Sequence, residues 1–344
     1  LALPSESDDP VRQIFPETTM PRHGPRRLFG AGIFLAAALA ASSALAADPY
    51  PSKPIHIVVP YAAGGTTDQV ARALQQPMSE VLGQTIVIDN KPGAGGTLGT
   101  DYVVRADPDG YTLVFGNTGP NAIVQLMRKV PYDPLTDLRP ISVAALAPLF
   151  LAVPTDSPVK NVKELIALAR QQQDKFNFGS VGNGSLSHLT GEYFNELAGT
   201  KMLHVPYNGG APMMTAFVGG QIQAAFVTGL DGATLLRAGK VRYIAVGAPK
   251  RSELLLNVPT VAEDVPGFKS ISWFGLLAPK GVPDDVIAKL HAAVEKAVAR
   301  PEVQKLFAER NVEAKASTPD ELMHIIKDEV AQWGPIVKKA NIQM

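Results

Sequence analysis

The sequence predicts an α/β protein of two domains. Apolar runs of strand length alternate with segments of helical periodicity, and nearly every run ends in a glycine-bearing loop that opens the next helix. Alternation of this kind argues for parallel β/α layers. Length is the third observation, since the part of the chain from Ala47 or Asp48 onward, about 300 residues, allows two cores at roughly 150 residues per domain.

An export-leader pattern begins at Met20. Arg22, Arg26 and Arg27 form its basic start, an Ala/Leu-rich stretch runs on from Leu28, and Ala44-Leu45-Ala46 precede Ala47 and Asp48. Residues 20–46 are read as a leader cleaved near Ala46 or Ala47, and 1–19 as upstream sequence. Alanine and serine dilute the apolar stretch, which argues against an uncleaved anchor. Arg26-Arg27 hints at twin-arginine export, but its flanks suit the general secretory route better.

Three strand–loop–helix units follow. Strand 55–59 leads into Ala63-Gly64-Gly65-Thr66-Thr67-Asp68, strand 85–90 into Gly93-Ala94-Gly95-Gly96, and strand 112–115 into Gly116-Asn117-Thr118-Gly119. A helix start carries unpaired amides and about half a positive charge, so several starts converging on one cleft make a site for a small anion. The apolar run 139–154 is interrupted by Pro148 and reads as two strands, or as one strand crossing between domains. Asn161 and Glu164 then start a helix with a capping-box pattern. Strands at 176–181, 202–207, 224–228 and 241–246 build the second domain, and 270–279 is a further apolar strand.

Helices open at Pro283 and at Thr318-Pro319-Asp320-Glu321, where threonine is N-cap, proline N1 and glutamate N3. The tail is expected to return to the first domain. That gives two chain crossings, with 48–148 plus 273–344 as domain one, 149–272 as domain two, and hinges near 147–152 and 271–275.

Charge and composition exclude several classes. Lysine plus arginine and aspartate plus glutamate number 32 each, and the leader region is balanced too, Arg12, Arg22, Arg26 and Arg27 facing Glu6, Asp8, Asp9 and Glu17. A neutral chain has no electrostatic footprint for nucleic acid. Cysteine is absent, which excludes disulfides, thiolate metal sites, a cysteine nucleophile and a lipid-modified cysteine after the leader. The exported chain is therefore expected to be soluble.

The catalytic motifs fail. Leu98 stands where a dinucleotide fingerprint beginning at Gly93 needs its third glycine, and no loop carries the lysine of a P-loop. No Gly-x-Ser-x-Gly surrounds Ser180, Ser185 or Ser187. Ser185 and His188 lie three apart at a helix start, but Ser185 reads better as a cap or a ligand hydroxyl than as a nucleophile. His56, His204, His291 and His324 lack metal-ligand spacing. Asp68 and Asp231, each in a first helical turn, can complement the helix dipole or face a ligand ammonium.

Taken together, the segments Pro60 to Asp68, Asn90 to Gly96, Ala106 to Leu113, Gly182 to His188, His204 to Gly209 and Gly219 to Gln223 resemble the Bug family, the TctC-like extracytoplasmic receptors of tripartite tricarboxylate transporters. The resemblance runs from about Tyr50 to the C-terminus. It implies a two-lobed α/β architecture of the periplasmic-binding-protein type, a type II-like Venus flytrap, that closes on a small carboxylate or amino acid without cofactor, metal or catalysis. It also implies a carboxylate held mainly by amides and hydroxyls of the first two loops. Carried over, these are Ala63, Gly64, Gly65, Thr66 and Asp68 with Gly95 and Gly96, then Asn117 and Thr118, and from the other lobe Asn183, Ser185, His188, Tyr207, Thr228 and Asp231. Tyr61 stands where phenylalanine is frequent. The implied partners are integral membrane transporter subunits, or for some members a sensor ectodomain, and the implied state is a periplasmic monomer. An exported hydrolase or isomerase acting on a small carboxylate is the competing reading, distinguished by turnover of the bound acid.

Overall fold

The computed structural model describes residues 49–173, 175–251 and 255–342. The expected leader, its cleavage point and the upstream segment lie outside the described residues. Strands β1 (Ile55–Val59), β2 (Ile86–Asn90) and β3 (Thr112–Asn117) are parallel with β1 in the middle. Helix α1 (Thr66–Leu82) connects β1 to β2, and α2 (Thr97–Val104) connects β2 to β3. The third expected helix start is corrected. After β3 the chain makes a wide five-residue helical turn, Gly119–Ile123, and a tight one, Val124–Leu126. Pro120 has no amide to donate, and Asn121 Oδ1 accepts the Asn117 amide at 3.1 Å, a side-chain bond that competes with regular helix.

Strand β4 (Leu138–Pro154) is a single strand of 17 residues. Its partner changes between Pro148 and Leu149. Up to Pro148 it pairs with β9 (Ile271–Pro279), and from Leu149 it lies between β7 (Ala224–Thr228) and β8 (Val241–Val246). Proline is tolerated there because a ladder that is changing partner needs no donor at that position. The second set, β5 (Asn177–Ser180), β6 (Leu203–Pro206) and β7, is again parallel. Strand order is β2-β1-β3-β9-β4-β7-β5-β6, with β8 and the short β10 (Glu313–Ala314) attached to β4.

The expectation of parallel layers is therefore corrected at the crossing strands: β9 is antiparallel to β3 and β4, and β4 is antiparallel to β7 and β8. A parallel neighbour must be reached through a long crossover, usually a helix. The connections into β4 (118–137) and into β9 (247–270) hold no α-helix among their described residues.

Helices α3 (Val162–Gln171), α4 (Leu186–Ala198), α5 (Gly210–Val218) and α6 (Gly229–Arg237) serve the second set of strands. Asn161 caps α3 by accepting the Glu164 amide at 2.9 Å. Helices α7 (Asp284–Val298), α8 (Pro301–Ala308) and α9 (Pro319–Lys339) follow β9, and α9 starts with the Thr318/Glu321 capping box read from the sequence. One hydrophobic cluster runs through both parts of the sheet, joining Val58 and Val114 to Leu149 and Phe226, with Leu322, Ile326 and Trp333 of α9 packed on it. Helix α9 also reaches α4, through Trp333 edge-on to Tyr193 at 5.7 Å and Lys339 paired with Glu196 at 2.8 Å. Among the described residues no helix is long and apolar enough to cross a membrane.

Candidate ligand-binding site

All the glycine loops lie at the carboxyl ends of strands, where open α/β sheets bind ligands. At the first loop Gly65 is the N-cap of α1 and has no side chain to satisfy that helix's amides. Among the described residues the amides of Gly65, Thr66 and Thr67 find no acceptor. The neighbouring Gly64 amide is engaged, donating to Asp68 Oδ2 at 2.8 Å. Asp68 also accepts from Arg72 Nε at 2.9 and 3.0 Å and from Asn90 Nδ2 at 3.0 Å. Burial opposes its charge, yet Arg72, the Gly64 amide and Asn90 together hold the carboxyl below its usual range. Asp68 is thus neutralised within the protein and fixes the loop. Ala63, Gly64 and Gly95 are exposed, and Gly65 is half-buried.

The second loop is packed under the first. Gly96 has φ 95°, a left-handed conformation, and a Cβ there would meet Pro120 at 2.9 Å and the Tyr61 ring at 3.3 Å. Arg128, which lies outside all the glycine loops, donates Nη2 to Ala94 O at 2.7 Å and also reaches the Thr97 hydroxyl. Lys91 turns away, its Nζ 4.2 Å above the Tyr102 ring. In the third loop Asn117 is a junction: Oδ1 accepts from the Tyr61 hydroxyl at 3.0 Å and the Gly119 amide at 3.1 Å, and Nδ2 donates to Thr67 Oγ1 at 3.0 Å. Thr118 is fully buried and donates to Glu329 Oε1 of α9 at 3.3 Å.

Sequence reasoning missed Glu329. Its other oxygen is buried without a partner among the described residues, and burial pushes the carboxyl up to about 8, against the pull of Thr118 and Lys269. A signal was available. Glu329 interrupts the stripe Leu322, Ile326, Trp333, Ile336, whose steps of three and four residues mark the buried face of a helix.

On the second set of strands Ser185 caps α4. It accepts the His188 amide at 3.3 Å and donates to Gly182 O at 2.7 Å. The His188 ring faces elsewhere, its Nδ1 accepting the Gly184 amide at 3.1 Å, so a Ser185–His188 catalytic pair is not assembled. His188 stacks on His204 with ring centroids 3.6 Å apart and planes 6° from parallel, and His204 Nε2 lies 2.6 Å from Ser180 Oγ. Burial lowers His188 to about 4; burial and then the neighbouring His188 lower His204 to about 3. Both rings are neutral at pH 7. Asn183 is exposed, and Tyr207, half-buried, packs against the cluster that contains Phe150, Met213 and Phe217. Among the described residues Asn183, Ser185, His188 and Tyr207 form no hydrogen bond to the β1–β3 loops.

Thr228 and Asp231 do reach those loops. Thr228 caps α6, accepting the Asp231 amide at 3.1 Å and donating to Asp231 Oδ2 at 2.8 Å. Its hydroxyl lies 2.9 Å from the hydroxyl of Thr66, so the N-termini of α1 and α6 touch. A second contact lies beside it: a Cβ on Gly229 would come within 2.0 Å of Arg310 O, in the turn between α8 and β10.

Comparison with known proteins accords with this architecture. The family model described as tripartite tricarboxylate transporter family receptor, TctC, matches residues 70–342. Among solved structures, Rpa4515 of R. palustris with adipate is 34% identical with a TM-score of 0.81, covering 86% of this chain and 99% of that one. The periplasmic binding protein BugD is 36% identical with a TM-score of 0.79 over 86% and 99% of the two chains. MatC of Rhodopseudomonas palustris with bound malate is 32% identical with a TM-score of 0.78 over 84% and 100%. On that match, with a fold shared with periplasmic binding proteins, this chain belongs to the TctC family of tripartite tricarboxylate transporter receptors and, like the family, is a substrate-binding receptor rather than an enzyme.

Proposed function

We propose that the chain is an extracytoplasmic receptor that captures a small carboxylate between the two sets of strands and delivers it to integral membrane transporter subunits. The carrying observation is the meeting of α1 and α6 through Thr66 and Thr228 at 2.9 Å, beside first-turn amides that no group among the described residues occupies. Such amides in a water-poor cleft hold a carboxylate without a cation. The lobes in this reading are residues 48–148 with 273–344, and 149–272, hinged where β4 exchanges partner at Pro148 and along β9. Adipate and malate in two relatives support the ligand class. Periplasmic export through cleavage of residues 20–46 belongs to the same reading.

Titration calorimetry on the chain from Asp48 onward, with small mono- and dicarboxylates and amino acids, tests it. At least one acid should bind and be recovered unchanged after denaturation. Turnover of the acid, or no binding by any of them, would refute the proposal. Closure makes a second prediction. Gly229→Val places carbon atoms against the Arg310 carbonyl, so the two lobes should close less completely, weakening binding by about tenfold or more. Circular dichroism should stay native and the scattering radius with saturating ligand should stay large; tight binding with full compaction would show that this contact plays no part in closure.

A further inference from the structure

Asp68 and Asp231 occupy equivalent places, each the third residue of a helix that starts at the cleft, α1 and α6. Their surroundings differ in how the charge is compensated. Asp68 is neutralised by Arg72, four residues on, whereas Leu235 stands four residues after Asp231. Among the described residues Asp231 forms no ion pair with lysine, arginine or histidine. Its Oδ2 takes the Thr228 hydroxyl at 2.8 Å, and that hydroxyl touches Thr66 of the other helix. Its Oδ1 faces the start of α5, where a Cβ on Gly210 would come within 2.6 Å. Helix capping accounts for the Thr228 contact. It does not account for a half-buried, uncompensated acid placed where the starts of α1, α5 and α6 converge, since a charge drawn out of water without a partner is costly. The same burial raises the carboxyl above its usual range, with only the hydroxyls of Thr228 and Thr66 and the Thr228 amide opposing it.

We infer that Asp231 is a specificity-determining residue of the cleft, rejecting a second carboxylate at the Thr66–Thr228 end and receiving the ammonium group of an amino-substituted carboxylate. This rests on the receptor reading above and narrows its ligand class. One end of the ligand lies on the unoccupied amides of α1, as any carboxylate would. The other end supplies the cation that Arg72 supplies to Asp68. A dicarboxylate would instead bring a like charge against Asp231, and like charges in a site of low polarity repel strongly.

The test is calorimetry at neutral pH with matched pairs in which an ammonium replaces one carboxylate: L-alanine and methylmalonate, β-alanine and succinate, γ-aminobutyrate and glutarate, δ-aminovalerate and adipate. The parent protein should prefer the amino member of at least one pair by about tenfold or more. Asp231→Asn, which keeps size and capping, should erase or invert that preference. Asp231→Ser serves as the second variant, since serine also suits a first helical turn. A parent that prefers dicarboxylates, or folded variants whose preference matches the parent's, overturns the inference and leaves the receptor reading intact. Failure of every acid to bind the parent overturns both.

Discussion

The Gly65→Asp protein should fold at least as well as its parent and bind no carboxylate. Gly65 has φ −74° and ψ 170°, which any residue adopts, and a Cβ there would find only Ala62 O at 3.7 Å. Aspartate is a favoured N-cap, so the helix should be unharmed or gain a few tenths of a kcal/mol. The same carboxylate would take the open amides of α1 and set a negative charge where the ligand's belongs. Affinity should fall by more than about a hundredfold, or roughly 2.7 kcal/mol. Lys91→Ala is the control, because Lys91 lies over Tyr102 and its loss should change affinity less than about tenfold. Calorimetry with thermal melts decides between the outcomes: a Gly65→Asp protein that still binds, or a Lys91→Ala protein that does not, moves the anion site elsewhere.

Acid should destabilise the protein through the stacked imidazoles. Both have folded-state values below the ordinary 6.5, about 4 for His188 and about 3 for His204. Below about pH 6.5 the unfolded chain takes up protons that the folded chain refuses, so stability falls as pH falls and levels off only below the folded-state values. For the buried His188 alone the loss is roughly 3 kcal/mol at its limit. Protonating His188 also removes the acceptor of the Gly184 amide, which loosens the loop ahead of α4. His204→Phe keeps a ring in the stack and removes one of the two titrations, while Ser180 Oγ still donates to Gly182 O at 3.0 Å. Urea denaturation at about pH 5 and about pH 7 should therefore give a smaller difference for the variant than for the parent. An equal or larger difference would place the acid sensitivity in other groups.

Local chemistry was legible in the sequence. The Asn161 cap, the Thr318/Glu321 capping box and the Ser185 cap each depend on residues three apart, and all three form. Pro148 marked the place where β4 changes partner, because a missing donor is a local property. What could not be read is set by strands that meet far along the chain. Asn117 bonding Tyr61 and Thr67, Asn90 bonding Asp68, and Thr66 touching Thr228 require the register of the assembled sheet. The direction of β9 was illegible for the same reason, since an apolar run reads alike in both directions. Arg128 escaped because a side chain can serve a glycine loop without belonging to it. The surroundings of Asp68 and Asp231 separated only when Arg72 was seen folded onto one and, among the described residues, no lysine, arginine or histidine paired with the other.

The partner exchange of β4 bears on how the chain folds. Its second part, with β5 to β8, comes from a single stretch between Leu149 and Val246, so those strands can pair as soon as they are made. The first set lacks its inner neighbour until Ile271–Pro279 is available, because among the described residues β3 pairs with β1 and β9 alone, Val114 meeting Leu277. Pairings so distant pay the loop-closure entropy late and slow folding. In pulse-labelled hydrogen exchange the amides of Phe226 and Ile244 should gain protection before those of Val114 and Phe115; the reverse order would put nucleation in the N-terminal strands. A chain that cannot complete its N-terminal strands until its last third exists stays open longest at the end that is synthesised first.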